Sequence, residues 1–128
     1  MSPDETSTTE ATARRYFEAW TSRDTGAAAS LLAADFTFTA GDMSIEGREA
    51  FLDSGAFPKE ARTTMVAEAY QGETAFQMYD ATRGPHTVRI VELLRVRDGL
   101  IRSSTFVADM SAFTALMTPT SPETGEPS

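Results

Sequence analysis

The chain of 128 residues contains no cysteine and a single histidine, His86. Without cysteine it can form neither a disulfide nor a thiolate nucleophile, and one histidine argues against a zinc site built by the protein. No serine lies in a nucleophile-elbow context and no glycine-rich phosphate loop is present, which argues against serine nucleophiles and nucleotide binding. We therefore expect neither a metal nor another cofactor.

Basic residues and long apolar runs are also scarce. The chain has 11 Lys and Arg against 19 Asp and Glu, a net charge of -8, which does not suit binding to nucleic acid or to an anionic membrane. No stretch approaches the roughly 20 apolar residues of a membrane span, and the N-terminus has no apolar signal region, so we expect a cytoplasmic protein. With 41% hydrophobic residues, a chain of this length suits one core and one domain.

Four helices and several strands are predicted from periodicity and capping. Ser7 and Glu10 form a capping box, and the apolar residues that follow have helical spacing as far as about Ser22. Asp24 can cap a second helix. The remaining predicted elements are a strand beginning near Asp35, a short strand at Met43–Ile45, a short helix at Gly47–Asp53, a strand at Arg62–Gln71 and a last helix ending at Met117.

Between Glu73 and Asp109 the sequence predicts three consecutive antiparallel strands. In the middle strand the arginines share one set of alternate positions, so that set is expected to face solvent and the other to face the core. The inward set is His86, Val88, Ile90, Glu92, Leu94 and Val96. Glu92 therefore lies in the middle of an otherwise apolar face.

The turn after the middle strand decides which residues of the third strand join this face. Asp98-Gly99 is typical of a two-residue type I′ hairpin, because both central residues need positive φ. That turn pairs Glu92 with Thr105 and Val88 with Asp109. It therefore predicts an inward Asp109.

The turn before the middle strand leaves two alternatives. As a three-residue loop, Arg83-Gly84-Pro85 turns Asp80 inward and pairs Phe76 with Glu92. A slip of one residue turns Asp80 outward beside Arg89, as an ordinary surface ion pair.

With the longer loop, four polar residues collect on one apolar face. Desolvation raises the pKa of one carboxylate in such a site and can leave another ionised, which suits proton transfer. His86 borders the turn and is expected at the rim. The four are Asp80, His86, Glu92 and Asp109, and the residues expected to line a substrate site beside them are Trp20, Met65, Phe76, Met78, Val88, Ile90 and Thr105.

The order of the elements predicts an α+β fold, in which N-terminal helices pack on the concave face of a cone-shaped, strongly curved antiparallel sheet. Residues 1–9 are expected to be loose and residues 10–117 to form the domain. Residues 118–128, rich in Pro, Thr, Ser and Glu, are expected to be a disordered tail.

Several segments resemble SnoaL-like proteins of the nuclear-transport-factor-2-like superfamily. The resemblance implies the cone-shaped fold and a homodimer, but not one activity, because this fold hosts isomerases, cyclases, hydrolases, dehydratases and proteins without catalysis. The segments are Arg14–Trp20, Arg23-Asp24, Leu31–Phe36, Glu46–Phe51, Arg97–Ile101, Phe106–Asp109 and Phe113.

Three kinds of relative imply functional residues. Ketosteroid isomerases resemble the chain at Tyr16, as a hydrogen-bond donor to an enolate, and at Glu92, where they keep a protonated aspartic acid, whereas their general base aligns with Ala40. Limonene-epoxide-hydrolase-like proteins resemble it at two aspartates, Asp80 and Asp109, although the arginine between those aspartates corresponds to Met78 here. In SnoaL-like polyketide cyclases the cavity aspartate resembles Asp109.

Each candidate also has a structural explanation. Asp109 ends a strand before a helix and can be a helix N-cap. Glu92 can be a buried ion pair with Arg14 or Arg15, and the hydroxyl of Tyr16 can be a core group with an ordinary partner.

Two hypotheses of function follow. The first is a small-molecule enzyme of cyclase, isomerase or epoxide-hydrolase type that uses cavity carboxylates on a largely apolar substrate, with Asp109, Glu92, Asp80 and Tyr16 as its catalytic residues. The second is a non-catalytic ligand-binding or dimerisation module. A cavity of a few hundred Å³ lined by Glu92 and Asp109 favours the enzyme, and a filled cone favours the module. A homodimer is expected through the outer sheet face that carries Val91, Leu93 and Phe106.

Overall fold

A computed structural model describes residues 3–54 and 61–117. The expected tail at residues 118–128 lies outside this described part. The helices and strands are α1 (Pro3–Thr21), α2 (Thr25–Ser30), β1 (Leu32–Ala40), β2 (Met43–Glu46), α3 (Arg48–Asp53), β3 (Arg62–Gln71), β4 (Thr74–Arg83), β5 (His86–Arg97), β6 (Leu100–Ala108) and α4 (Met110–Met117).

The strands form one curved sheet in the order β2-β1-β6-β5-β4-β3. All neighbouring pairs are antiparallel except β1 and β6, which are parallel. The helix α1 packs across β3 to β6. The predicted α+β architecture, a mostly antiparallel curved sheet with N-terminal helices, is confirmed.

The first helix is longer than its capping box indicates. It begins at Pro3 rather than near Ser7, so residues 3–9, expected to be loose, are helical. Proline suits the first turn because its missing N–H has no intrahelical partner there, and Asp4 and Glu5 complement the positive end of the helix. The Thr9 hydroxyl donates a hydrogen bond to the carbonyl of Gly72, which fastens this helix to the β3–β4 turn.

The predicted cap of α2 is confirmed. The backbone N–H of Ala27 donates to Asp24 Oδ1 at 3.0 Å.

No helix within the described ranges is long and apolar enough to cross a membrane.

The turn between β4 and β5 is shorter than the preferred prediction. Arg83 pairs with His86, so only Gly84 and Pro85 lie between the strands, and the three-residue loop is wrong. Gly84 has φ of 60°, in the left-handed region that glycine occupies without a steric penalty. This is the slipped register, and it reverses the facing of every residue that β4 contributes to the site.

The turn between β5 and β6 has the predicted form. Asp98 and Gly99 have φ of 55° and 73°, as a type I′ turn requires, and Val96 pairs with Ile101.

The pairing beyond that turn is wrong, because β6 contains a β-bulge. Arg95 pairs with Ser103, so Arg102 is an extra residue. Glu92 consequently faces Phe106, where the sequence predicted Thr105.

The bulge also exchanges the two faces of β6. Phe106, nominated for the outer dimer surface, is buried, while Val107 lies outside with 58% of its surface exposed. Thr105, expected to line the site, is exposed. The main hydrophobic core, which includes Tyr16, Phe36 and Ile90, lies between the helices and the inner sheet face.

Candidate functional site

A cavity of about 50 Å³ lies between α1, the inner sheet face and α4. Most of its wall is aromatic or aliphatic, and Glu92 is the only carboxylate among the described residues that line it. The lining consists of Tyr16, Phe17, Trp20, Thr21, Phe38, Ala40, Met43, Ala61, Thr63, Gln77, Tyr79, Ile90, Glu92, Phe106, Met110 and Phe113.

Glu92 is held by hydroxyl groups from the two flanking strands. Tyr79 on β4 donates to Oε1 at 2.6 Å, and Ser104 on β6 donates to Oε2 at 2.7 Å. Gln77 and Phe106 are the residues directly opposite Glu92, so both donors are diagonal neighbours on the same sheet face. The bulge at Arg102 is what turns Ser104 inward.

Glu92 is buried without a cationic partner in the described part of the chain. Glu92 is 5% exposed, and the alternative explanation, a buried ion pair with Arg14 or Arg15, is wrong. Arg14 instead pairs with Glu10 and Glu68. Burial raises the pKa of Glu92, and the hydrogen bonds from Tyr79 and Ser104 act in the opposite direction.

Tyr16 enters the cavity from α1. Its hydroxyl is shielded from solvent and has no acceptor for its proton among the described residues. Burial, followed by the negative charge of Glu92, raises the pKa of Tyr16 well above its usual value, while the Trp20 side chain acts in the opposite sense. Tyr16 therefore stays protonated at neutral pH and can donate a hydrogen bond to an occupant of the cavity.

The other predicted carboxylates lie outside the cavity. Asp80 pairs across the sheet with Arg89, which contacts it through Nε at 2.8 Å and Nη2 at 3.0 Å. That hydrogen-bonded guanidinium lowers the pKa of Asp80. Asp109 is exposed and accepts a hydrogen bond from the backbone N–H of Ala112 at 3.1 Å, so it caps α4.

The predicted lining residues divide according to strand register. Trp20 and Ile90 line the cavity, whereas Met65 and Val88 pack in or against the core beside it. His86 is exposed at the β4–β5 turn. The residues placed on the outer face by the shorter turn or by the bulge are Phe76, Met78 and Thr105.

Sequence reasoning missed Tyr79, Ser104 and Thr63. Alternation along β4 offered a signal, because Ala75, Gln77, Tyr79 and Ala81 form one set that becomes the inner set once Gly84-Pro85 is a two-residue turn. Ser104 had no such signal, since the bulge that turns it inward has no glycine.

A SnoaL-like domain model matches residues 13–104. The chain belongs to this SnoaL-like family. A candidate ketosteroid isomerase from Kribbella flavida is 26% identical and has a TM-score of 0.77, with 94% of this chain and 86% of that chain covered. The fold is thus that of nuclear-transport-factor-2-like proteins, as the resemblance implied.

Two further solved structures are similar in fold. A candidate SnoaL-like polyketide cyclase from Jannaschia sp. has a TM-score of 0.75 at 17% identity, with 93% and 97% of the two chains covered. An epoxide hydrolase from M. tuberculosis, similar to limonene epoxide hydrolase, has a TM-score of 0.72 at 15% identity, with 88% and 91% covered. No protein of curated function matches the chain in sequence.

Substitutions of Asp109 test whether this residue stabilises the protein as the N-cap of α4. Asp109→Ala should lower the free energy of unfolding by about 1 kcal/mol, because it removes the cap of α4. Asp109→Asn should retain most of the stability, since asparagine caps equally well. Urea unfolding of both variants measures this, and an equal loss in both would contradict the capping role.

The raised pKa of Glu92 predicts how stability changes with pH. The Glu92 carboxyl group binds its proton more tightly in the folded protein than in the unfolded chain. Protonated Glu92 therefore contributes fully to the stability of the fold below the ordinary glutamate pKa, and this contribution is lost as pH rises through the pKa of the folded state. As the pH rises from about 4 to about 8, the melting temperature of Glu92→Gln should therefore increase relative to that of the wild type.

Asp80→Asn is the matched control for this comparison. Its pKa is lowered, so the wild-type advantage should grow as pH rises through the acid range, in the direction opposite to Glu92. A difference between Glu92→Gln and wild type that stays constant with pH would contradict the burial of an ionisable Glu92.

Proposed function

We propose that this SnoaL-like protein is a cofactor-free enzyme that moves a proton on a small, largely apolar carbonyl compound. The proposal rests on one observation: a buried carboxylate, Glu92, and a phenol with an uncommitted proton, Tyr16, line the same apolar cavity. Relatives of the fold include isomerases, hydrolases and cyclases, which supports acid/base chemistry of this kind.

A single cavity carboxylate favours isomerisation over epoxide opening. In a proton shift, the Glu92 carboxylate takes a proton from the carbon beside a carbonyl, and the electron pair of that C–H bond passes to the carbonyl oxygen as an enolate. Tyr16 donates a hydrogen bond to this oxygen. Glu92 then returns the proton to another carbon, so that one residue serves as base and acid in turn.

This proposal changes the role expected for Glu92. Ketosteroid isomerases imply a protonated donor at this position and a separate base, but the position of that base, Ala40, lines the cavity without any titratable group. Asp109 and Asp80 lie outside. Glu92 is therefore the base, and burial makes it a stronger one than an exposed glutamate.

The hydroxyls around Glu92 support this use. Tyr79 and Ser104 donate to different oxygens, which fixes the plane of the carboxylate and favours its ionised form. Each oxygen keeps a further lone pair for a substrate proton. Tyr79 and Ser104 are positioning residues in this scheme.

The volume of the cavity limits its occupant. About 50 Å³ holds a few water molecules, and a cyclic ketone needs some of the wall to move. Met43 and Met110 line the cavity, and methionine adapts its side chain readily to a new neighbour. The volume is below the few hundred Å³ expected of an enzyme, and this is the observation that favours the alternative, a non-catalytic ligand-binding module.

Conversion of cyclohex-3-enone to its conjugated isomer in D₂O tests the catalytic proposal. Ultraviolet absorbance follows the isomerisation, and mass spectrometry follows deuterium uptake. Glu92→Gln should lower the rate by about 10²- to 10⁴-fold, as expected for loss of a general base, and Tyr16→Phe by about 10²- to 10³-fold, as expected for loss of one oxyanion donor.

Asp80→Asn is the matched control, because it also converts a carboxylate to an amide but the Asp80 carboxylate bonds Arg89 outside the cavity at 2.8 Å. Its rate should equal that of wild type. Saturable binding of the ketone without isomerisation or deuterium uptake would overturn the enzyme and favour the ligand-binding module.

We further propose a homodimer through the outer sheet face. Because the bulge turns Phe106 inward, Val107 replaces it on this surface. Phe76 and Val107 are 49% and 58% exposed there, and the half-buried Met78, Val91 and Leu93 join them into one apolar patch. Apolar patches of this kind mark interaction surfaces.

The cytoplasmic location stays a prediction from the sequence.

Sedimentation velocity should give a dimer for the wild type. Val107→Asp should give a monomer, because a charge would be buried within the apolar patch. Ala50→Asp, on the exposed side of α3, is the control and should remain dimeric. A wild-type monomer at all protein concentrations would contradict the dimer.

A further inference from the structure

The hydrogen bonds of the cavity leave two hydroxyl protons without an acceptor among the described residues. Tyr79 donates to Glu92, and Gln77 Nε2 donates to the Tyr70 hydroxyl at 3.1 Å. By contrast, Tyr16 Oη and Thr63 Oγ1 are both shielded from solvent and have no acceptor among the described residues. An unmade hydrogen bond in a buried site is costly, so each of these hydroxyls is a position where an occupant would be stabilised.

Thr63 lies in a different part of the cavity from Glu92. It pairs with Ala81 on β4, which pairs in turn with Val88 on β5, four residues before Glu92. Thr63 therefore lies two side-chain rows away from Glu92, about 13 Å along the strand direction. Both nevertheless line the same cavity.

The lining also restricts the charge of the occupant. No described lysine, arginine or histidine lines the cavity, so a carboxylate or phosphate there would meet Glu92 without a counter-ion. The unused hydroxyls of Tyr16 and Thr63 suit neutral acceptors such as carbonyl or hydroxyl oxygens. Apolar side chains form most of the wall between them.

We propose that Thr63 is a specificity-determining residue, which hydrogen-bonds a second polar group of a neutral substrate at the end of the cavity away from Glu92. The substrate class is then an uncharged molecule with an apolar body, one carbonyl at Tyr16 and a second oxygen at Thr63. This inference rests on the proposed function for the carbonyl at Tyr16, but the contact at Thr63 is independent of catalysis.

Two ketones that share one bicyclic body test the contact. 2-Decalone has one carbonyl, and decalin-2,6-dione adds a second on the other ring. Calorimetric titration of the full chain gives the Kd of each. In Thr63→Val the Kd of the dione, divided by that of 2-decalone, should rise by about 3- to 10-fold, the effect of one hydrogen bond.

The ligand-free protein gives a second readout. Thr63→Val keeps the side-chain shape but removes a buried hydroxyl without an acceptor, so its melting temperature should equal or exceed that of wild type. Thr64→Val, on the same strand with its side chain exposed, is the control and should leave the Kd ratio unchanged. A lower melting temperature in Thr63→Val would mean that the hydroxyl already has a partner and would overturn the proposal.

The outcomes separate this proposal from the catalytic one. An unchanged Kd ratio in Thr63→Val overturns the role of Thr63, even if Glu92→Gln abolishes isomerisation. A raised ratio supports Thr63, even if isomerisation does not depend on Glu92. Failure of both ketones to bind the wild type would count against both proposals.

Discussion

One extra residue in the last strand decides what the inner sheet face contains. At Arg102 the pairing of β6 with β5 shifts by one position, and every later side chain of β6 changes face. Ser104 and Phe106 turn toward the cavity, and Asp109 passes beyond the ladder to the start of α4. Arg102 lies near two acidic groups, 3.8 Å from Asp35 and 3.9 Å from Asp98, which accommodates its charge at the bulge.

The bulge and the short β4–β5 turn together leave a site with one carboxylate. Two acidic residues that sequence alternation placed beside Glu92 have ordinary structural partners instead, Arg89 for Asp80 and the N-terminus of α4 for Asp109. What surrounds Glu92 is neutral: two phenols, a serine hydroxyl and aromatic rings. Hydrogen bonds from Tyr79 and Ser104, rather than a described cation, hold its carboxyl group.

Membership of the SnoaL-like family defines the framework and leaves the chemistry to individual side chains. Neighbours named for isomerase, cyclase and epoxide hydrolase activities have the same fold at 15–26% identity. The same cone therefore supports different reactions through the residues that face its interior. In this chain the polar residues that line the cavity include Glu92, Tyr16 and Thr63, and the hydroxyls of Tyr16 and Thr63 have no acceptor among the described residues.

The sequence by itself determined the architecture, the Asp98-Gly99 turn, the cap at Asp24 and the inward facing of Glu92. These depend on local rules: periodicity, turn residues with positive φ and capping side chains. Tyr16, which the resemblance to ketosteroid isomerases implied, also lines the cavity.

Tertiary structure decided which residues accompany Glu92. A strand has a period of two, so an error of one residue in a turn or an unrecognised bulge exchanges its faces completely. Gly84-Pro85 allowed two loop lengths, and the bulge at Arg102 has no glycine to mark it. Tyr79, Ser104 and Thr63 became visible only when the strands were paired, because packing against α1 and the neighbouring strands selects a register that no local segment specifies.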